Sequence, residues 1–316
     1  MARIPAAVAA VRLAVRRSLP ADGLVLVACS GGADSLALAS AARFVGRAVG
    51  LVTVDHGLQE GSAERASAVA AWAEKSGFAP VEVATVSVVG RPGGPEAAAR
   101  DARYEALSAV AARCGAAAVL LGHTRDDQAE TVLLALARGS GPRGLAGMPY
   151  RKGIFRRPLL DVARADTRKA CAAQGLVPWD DPHNVDPAYA RSRVRGAALP
   201  ALVEALGPAV VANLARSAGQ IAADNAALDA LARGALLSAY AEEGLDISVL
   251  SGMVGAVRTR VLHAWARELG ASGSALSHRH VEAMAALITD WHGQGPVHLP
   301  GGMRVARVRG RLVRVP

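Results

Sequence analysis

The feature that most constrains the fold is an uninterrupted apolar run, Leu24–Ala28, followed by the loop Ser30-Gly31-Gly32-Ala33-Asp34-Ser35. A short apolar run without polar alternation is typical of a strand that is buried on both faces of a parallel sheet. The glycines permit positive φ and a close backbone approach to a ligand. The helix that follows would present unpaired N–H groups to an anion. The segment therefore predicts a strand, a phosphate-binding loop and a helix, although a plain capped turn is the simpler alternative.

Strands and helices continue to alternate up to about residue 195. Strands are predicted after the first one at Gly50–Val54, Pro80–Val89 and Ala117–Leu121. Helices are predicted at Ile4–Leu19, Leu36–Val45, Ser62–Ser76, Glu96–Cys114 and Arg125–Arg138. This alternation predicts an α/β domain that has an open parallel sheet with helices on both faces.

The pattern changes near Pro200. Helices are predicted at Leu199–Ala241, Leu250–Leu269 and Ala283–Ile288, and short strands are predicted within Gly295–Val315. We therefore predict a domain over residues 1–198 and a smaller, mainly helical domain with short terminal strands over residues 199–316.

The charge balance indicates a polyanionic partner. The net charge is +9, and 36 residues are Lys or Arg, of which all but Lys75, Lys152 and Lys169 are Arg. Arginine offers a planar, permanently charged fork that suits phosphate groups. A solvated surface in an arginine-rich proteome is the alternative explanation. Three cysteines without a CxxC pair fit a reducing cytoplasm, and no apolar stretch approaches the roughly 18 residues that a membrane span needs.

The loop Ser30–Ser35 matches the SGGxDS motif of the N-type ATP pyrophosphatases, or PP-loop ATPases, and the chain resembles that superfamily. The resemblance implies an enzyme that splits ATP between its α- and β-phosphates and adenylates a substrate. Phosphate contacts are then expected from Ser30, Gly31, Gly32, Ala33, Asp34 and Ser35, and adenine contacts near Asp55 and His56 at the end of the second strand.

Further segments narrow the resemblance to the tRNA(Ile)-lysidine synthetase family. They cover roughly residues 24–195 and comprise Val54–Leu58, Glu96–Tyr104, Gly122–Thr131, Arg138–Leu145, Arg157–Leu160 and Tyr189–Arg195. The family implies a ligase that adenylates the wobble cytidine of an isoleucine tRNA with a CAU anticodon and joins free L-lysine to it. ATP and Mg²⁺ are the implied cofactors. Ser192 stands where the family usually has Asn, and His183 replaces a Ser.

Three carboxylates, Asp126, Asp127 and Glu130, lie within about one turn of a predicted helix. Thr124 and Asp127 form a capping box, which requires only one of them. The surplus suggests Mg²⁺ binding or proton transfer, and the family resemblance implies that Asp127 is the essential carboxylate. Asp34 is a second expected metal ligand, because a carboxylate in an anion site requires a bridging cation. His123, just before this helix, is a catalytic candidate or a structural residue.

Arginines form the expected tRNA contacts. Arg100 and Arg103 are like charges three residues apart, which is unfavourable without an anion, although Glu96 and Arg100 also form an ordinary helical pair. Arg191, Arg193 and Arg195 alternate with small residues. An extended or loosely wound segment would point all three to one side, and we predict a comb that contacts the phosphate backbone. A solvated face is the alternative.

Three rival functions remain open from the residues alone. A tRNA-thiolating relative would usually need a cysteine pair, and a small-molecule amidating synthetase would not need the arginine comb. A binding module without turnover would not need the acidic residues. The C-terminal helices are expected to position tRNA, and a homodimer is plausible.

Overall fold

The computed structural model describes residues 4–55, 57, 61–87, 95–181, 186–273 and 275–316, and of residues 95–97 it describes only the backbone. By contacts the chain divides into two compact units, Met1–Ile221 and Ala222–Pro316. Residues 199–221 thus belong to the first unit. The predicted functional division after residue 198 stays a prediction.

The first unit contains a six-stranded sheet in the order β3-β2-β1-β4-β6-β5. All neighbouring strands are parallel except β5 and β6, which form an antiparallel pair. The strands are β1 (Leu24–Ala28), β2 (Val49–Asp55), β3 (Val81–Thr85), β4 (Ala116–Leu120), β5 (Arg151–Lys152) and β6 (Phe155–Arg156). The predicted open parallel sheet is confirmed, and each of the four predicted strands forms within it.

Helices cover both faces of this sheet, as predicted. In chain order up to residue 172, the helices of this unit are α1 (Ala6–Ser18), α2 (Ala33–Val45), α3 (Ser62–Lys75), α4 (Pro95–Arg113), α5 (Arg125–Ala137), α6 (Pro142–Leu145) and α7 (Arg164–Ala172). On one face, α1, α2 and α7 pack together over a core that includes Val15, Leu38 and Leu51. On the other face, Leu107 and Val110 of α4 pack against strand residues such as Leu26. The continuous apolar strands are therefore buried on both sides.

The β5–β6 hairpin and α7 were not predicted. The buried Thr167, Ala170 and Cys171 of α7 lie at helical spacing. After α7 the chain forms α8 (Ala190–Arg193), a π-helical turn (Val194–Ala198), α9 (Leu199–Leu206) and the first part of α10 (Ala209–Ala239). Gly207, at φ +86°, ends α9 and interrupts the single long helix that the sequence predicts.

The second unit is helical with a small antiparallel sheet, as expected. Its further elements are β7 (Leu245–Asp246), α11 (Ile247–Ser251), α12 (Gly255–Glu268), α13 (His278–Thr289), β8 (Val297–Leu299), β9 (Met303–Val308) and β10 (Arg311–Val315). The strands have the order β7-β10-β9-β8. Trp265, Met284, Leu287, Val305 and Leu312 are among the residues of its separate core.

Among the described helices, none is by itself both long and apolar enough to cross a bilayer. Among these helices, only the consecutive pair Ala190–Leu206 and Ala209–Ala239 has the required length and apolar character when the two helices are taken together, and this pair is bent by 104°.

Candidate active site

Two loops meet at the carboxyl edge of the sheet. Strands β1 and β4 are parallel neighbours, with Val27 opposite Leu120, so the loop after each strand opens at the same edge. Gly122, after β4, allows the two loops to touch, because a Cβ at this position would lie 3.1 Å from the Ser35 nitrogen and 3.2 Å from the Asp34 carbonyl carbon. Gly122 was not among the predicted site residues, and only the close approach explains it.

The loop after β1 is held from within by Ser35. The buried Ser35 hydroxyl accepts from the Ser30 N–H at 3.2 Å and donates to the Gly32 carbonyl at 2.9 Å. Gly31 has φ +84°, whereas Gly32 has φ −74°, so only Gly31 uses the left-handed freedom of glycine. Ser35 is therefore a structural residue of the loop, and the exposed Ser30 is the serine that remains able to face a ligand.

The N-terminus of α2 is left open. No side chain within the described part of the chain caps it, and Gly32 occupies the N-cap position before Ala33. The N–H groups of the first helical turn and the positive end of the helix dipole favour an anion here. These features fit the predicted phosphate role of Ser30–Ser35.

Asp34 lies in the first turn of α2 and reaches across to α7. Its Oδ1 accepts a hydrogen bond from the Thr167 hydroxyl, and its Oδ2 lies 3.7 Å from Arg164 Nε. Burial raises the pKa of Asp34 to about 6 and outweighs the hydrogen bond from Thr167 and the charges of Arg164 and Arg195, which lower this pKa; Asp127 adds a smaller increase.

The N-terminus of α5 is closed by its own side chains. Both the N–H and the hydroxyl of Thr124 donate to Asp127 Oδ2 at 2.8 Å, so the predicted capping box is present. Asp126 instead accepts from the Arg164 N–H at 2.8 Å and thereby caps α7. Burial alone would raise the pKa of Asp127, but Arg164, the Thr124 amide, His123 and Arg195 outweigh it and hold this pKa below its ordinary range.

Glu130 is the centre of a buried ion network. Its side chain is 0% exposed and lies within 3.0 Å of Arg164 NH2 and 2.8 Å of Arg195 Nε. Arg191 Nε is 3.4 Å from the other carboxylate oxygen. Asp127 Oδ1 joins the network through Arg164 at 2.8 Å and Arg195 at 3.0 Å. Each acidic side chain of the α5 turn thus has a partner within the protein, and the metal-binding or proton-transfer role predicted for this turn stays a prediction.

Arg164 and Thr167 are two further site residues that the sequence did not predict. Arg164 contacts Asp34, Asp127 and Glu130, and so links the starts of α2 and α5 through α7. The sequence does contain a signal for the helix that carries them. Ala163, Thr167, Ala170 and Cys171 are spaced so that they share one face of a helix. Recognising α7 would have placed both polar residues at its first turn.

His123 lies in a positively charged environment. Burial lowers its pKa to about 3; Asp127 opposes this effect, and Arg103, Arg157 and Arg191 reinforce it. Its Nδ1 is buried and has no hydrogen-bond partner among the described residues. The imidazole is therefore neutral at pH 7 and can accept a hydrogen bond but not act as a general acid.

The half-buried Arg103 and the buried Arg157 are cations without a carboxylate partner in the described part of the chain. Arg157 is 3% exposed and donates to the Pro149 carbonyl and the Tyr104 hydroxyl. Burial lowers the pKa of Arg103, and Tyr104 lies 5.9 Å from its guanidinium carbon. Buried cations of this kind favour an incoming anion. Arg100, on the same helix, is exposed and lies 5.2 Å from the Tyr104 ring.

The extended conformation predicted for the arginine comb is wrong, whereas the contact of these arginines with tRNA stays a prediction. Tyr189–Arg195 is not extended, because residues Ala190–Ala198 form α8 and the π-helical turn. Arg191 and Arg195, four residues apart, share a helix face and turn inward to Glu130. Arg193 points elsewhere and donates to the carbonyls of Pro187 and Ala188. Helical spacing therefore separates the three side chains into two sets.

The remaining predictions concern adenine and metal. Asp55 ends β2, and its Oδ1 accepts from the Gly57 N–H at 2.9 Å, while His56 lies outside the described residues. Across the described ranges, no group of three or more His, Cys, Asp or Glu side chains is arranged to hold a metal ion. Cys29, Cys114 and Cys171 are free cysteines.

Comparison with known proteins agrees with this geometry. Residues 10–202 match the family model described as PP-loop domain, and residues 245–313 match the one described as TilS substrate binding domain. The U34-tRNA thiolase NcsA from Methanococcus maripaludis shares the fold, with a TM-score of 0.56, 18% identity, and coverage of 68% of this chain and 80% of that chain.

Two curated relatives cover nearly the whole chain. The tRNA(Ile)-lysidine synthase of Salinispora tropica is 64% identical over 100% of this chain and 98% of its own. That of Streptomyces coelicolor is 58% identical over 93% of this chain and 86% of its own. The chain therefore belongs to the tRNA(Ile)-lysidine synthase family of PP-loop ligases.

Proposed function

We propose that this protein adenylates the wobble cytidine of an isoleucine tRNA with a CAU anticodon and joins free L-lysine to it. AMP and pyrophosphate are the other products. One observation carries the proposal: the open N-terminus of α2 lies beside the Asp34–Arg164–Asp127 bridge at one sheet edge. This edge combines an anion-binding helix end with charged groups that can guide a nucleophile.

The first step joins cytosine O2 to the α-phosphorus of ATP and breaks the bond to the β-phosphate oxygen. Pyrophosphate carries away that oxygen and its electron pair. The amides of Gly31 and Gly32 and the first turn of α2 stabilise the negative charge on the phosphates. Arg103, which has no carboxylate partner among the described residues, is our candidate for adding a positive charge.

Asp34 is the residue we assign to Mg²⁺ that arrives with ATP. The residues fit such a cation at this position, because a nearby positive charge would favour the ionised form of a carboxylate whose pKa burial raises to about 6. The cation would neutralise charge on the triphosphate. A metal contact from Asp127 would require Arg164 and Arg195 to move, since both bind its Oδ1.

The second step forms the bond between the lysine ε-nitrogen and cytosine C2 and breaks the bond between C2 and O2, so that AMP leaves with that oxygen and its electron pair. The ammonium group of lysine must first lose a proton. Asp127, which has a low pKa, is suited to accept hydrogen bonds from the amine and orient it, and the neutral His123 offers a buried acceptor beside it. These roles are consistent with the predicted importance of both residues.

The five arginines predicted to contact tRNA differ in how many partners they already have within the protein. Arg100 is exposed, and among the described residues Arg193 donates to backbone carbonyls, so both remain candidates for phosphate contacts. Arg191 and Arg195 act first as partners of Glu130 and Asp127. We assign the positioning of tRNA to residues 199–316, and a homodimer remains a prediction.

One assay tests the function. The purified protein is incubated with ATP, Mg²⁺, radiolabelled lysine and isoleucine tRNA with a CAU anticodon. We expect label in the tRNA with equimolar AMP, and a loss of at least about 100-fold in Asp127→Ala. Glu82→Ala, in a surface pair with Arg113, is the matched control and should retain activity. ATP cleavage without lysine incorporation would refute the proposal and favour one of the rival functions.

A further inference from the structure

A groove beside the phosphate loop is not used by the chemistry described above. It has a volume of about 770 Å³, within the range of roughly 300–1,000 Å³ that is usual for small-ligand sites. Its lining includes Leu36 of α2, the α3 residues Arg65, Val69 and Trp72, and Trp179. It touches the reactive loop only at Gly31, whose carbonyl accepts from the Trp179 N–H at 3.0 Å.

The groove is separate from the charged centre. Asp34, Asp127, Glu130 and Arg164 do not line it, and neither does Asp55, where adenine is expected. Its walls come instead from α2, α3 and the segment around residues 175–179. The groove and the reactive groups therefore lie side by side, joined at Gly31.

The lining selects a flat aromatic ring. Two of the four tryptophans of the chain, Trp72 and Trp179, line the same groove. The guanidinium carbon of Arg65 lies 3.6 Å from the centre of the Trp179 ring, so the two groups are stacked. Aliphatic side chains, among them Leu36 and Val69, complete the walls. Tryptophan faces and arginine planes are the surfaces on which proteins stack unpaired nucleobases.

We propose that this groove binds an unpaired nucleobase of the tRNA anticodon loop, next to the cytidine that is adenylated. The inference rests on the proposed function, since that function supplies the RNA. A base seated between Trp179 and Trp72 would fix the loop at Gly31 and hold the reacting cytidine at the neighbouring phosphate site. Stacking tolerates any base, and the net charge of +9 favours the RNA backbone that carries it.

The test uses the full-length protein and an anticodon stem-loop RNA with 2-aminopurine at one unpaired position at a time. We expect the fluorescence to be quenched on binding at one position. Trp179→Leu should abolish that quenching and weaken RNA binding roughly tenfold, while Trp179→Phe retains most of both. The Trp179 N–H bond to Gly31 is a backbone contact, so Trp179→Leu should leave ATP affinity within about twofold.

Phe44→Leu is the matched control. Phe44 forms a comparable stack with Arg12, 3.4 Å from its ring centre, but does not line the groove. This variant should bind RNA like the unmodified protein. Thermal unfolding of each variant verifies that it is folded, and Arg65→Met, which keeps the bulk but removes the charged plane, provides a second variant of the groove.

Three results would overturn the proposal. One is unchanged RNA binding and unchanged quenching in both Trp179→Leu and Arg65→Met. Another is a loss of ATP affinity with RNA binding intact, which would place adenine in the groove. The third is an equal loss in Phe44→Leu. Failure of the proposed function is recognised separately, because the unmodified protein would then stack the RNA base but incorporate no lysine.

Discussion

Two helix starts in the first unit have a similar setting and opposite outcomes. Helices α2 and α5 follow the neighbouring parallel strands β1 and β4, and each has an aspartate in its first turn. The start of α2 has no capping side chain, and the pKa of its Asp34 is raised to about 6. The start of α5 is capped by Thr124, and the pKa of its Asp127 is lowered.

The difference shows which of the two ends is reserved for a ligand. At α5, side chains of the protein satisfy the backbone and neutralise the charge, so this end supports the site. At α2, the N–H groups of the first turn are left for an anionic ligand. Burial disfavours the ionised form of Asp34 until a bound cation stabilises it. The predictions that follow act on one side of this contrast at a time.

The largest effect is expected on the α5 side. Glu130→Gln leaves three arginines facing a neutral amide in a site with 0% exposure, and we expect the free energy of unfolding to fall by about 3–5 kcal/mol. Glu82→Gln removes a surface pair, whose side chains are 29% and 60% exposed, and should cost less than about 1 kcal/mol. Urea denaturation measures both, and equal losses would contradict the buried network.

The next largest effect is an increase in the free energy of unfolding, and it concerns Asp34 in the first turn of α2. The native pKa of Asp34, about 6, lies above its ordinary value of 3.8, so ionisation destabilises the fold as the pH rises through this interval. Asp34→Asn should therefore stabilise the ATP-free protein by about 1–3 kcal/mol at pH 7.5 and by much less at pH 4. The same variant should lose activity.

Thermal unfolding measured against pH tests this expectation. Asp180→Asn is the control, because Asp180 lies in a surface pair with Arg168 and its side chain is 75% exposed. A stability gain in Asp34→Asn that does not depend on pH would show that ionisation of Asp34 is not its cause.

A smaller effect is expected for alanine at Gly31, and comparison with Gly153 distinguishes backbone strain from loss of ligand binding. Gly31→Ala and Gly153→Ala both place alanine at positive φ, +84° and +58°, and each should lose about 1–2 kcal/mol of stability. Only at position 31 would the new Cβ press on a neighbour, Val69 Cγ2 at 3.1 Å. ATP affinity, measured by calorimetry, should fall about tenfold in Gly31→Ala alone. Equal ATP affinity in the two variants would show that the loop does not bind phosphate.

The smallest effect concerns the cap of α5. Thr124→Val removes a buried hydroxyl that donates to Asp127 and should cost about 1 kcal/mol without changing ATP affinity. Ser277→Ala, at the capping box of α13, should cost a similar amount in the second unit. Denaturant unfolding and ATP titration report the two quantities separately. A tenfold loss of ATP affinity in Thr124→Val would remove the distinction between the two helix ends.

The sequence predicted those parts of the fold that local pattern determines. Leu24–Ala28 is apolar throughout because both faces of β1 are covered, and the alternation with helices then requires parallel crossovers. The capping box at Thr124 was also readable, since its two members lie three residues apart. By contrast, the β5–β6 hairpin has two-residue strands, too short for any periodicity to show.

The charged site was predicted only in part, because its partners are distant along the chain. Glu130 pairs with Arg164, 34 residues later, and with Arg195, 65 residues later. Without these partners, the carboxylates of the α5 turn suggested a metal site and the arginines suggested an RNA comb. In the folded protein, the carboxylates of the α5 turn and the arginines of α7, α8 and the π-helical turn form ion pairs with one another. Local spacing identifies charged groups but not which of them neutralise one another.

The π-helical turn Val194–Ala198 accommodates one extra residue in this arrangement. Its ring is closed by the Leu199 N–H and the Val194 carbonyl, five residues apart, so one residue more than in an α-helix is housed within the turn. Removing a single residue there, for instance Gly196, would let the segment tighten to ordinary helical pitch. Because only the extra residue is lost, the helical residues on either side, including the buried Leu199, would keep their faces. Adding a residue would instead turn the following residues by about 100°. This stretch should therefore accept the loss of one residue more readily than the gain of one.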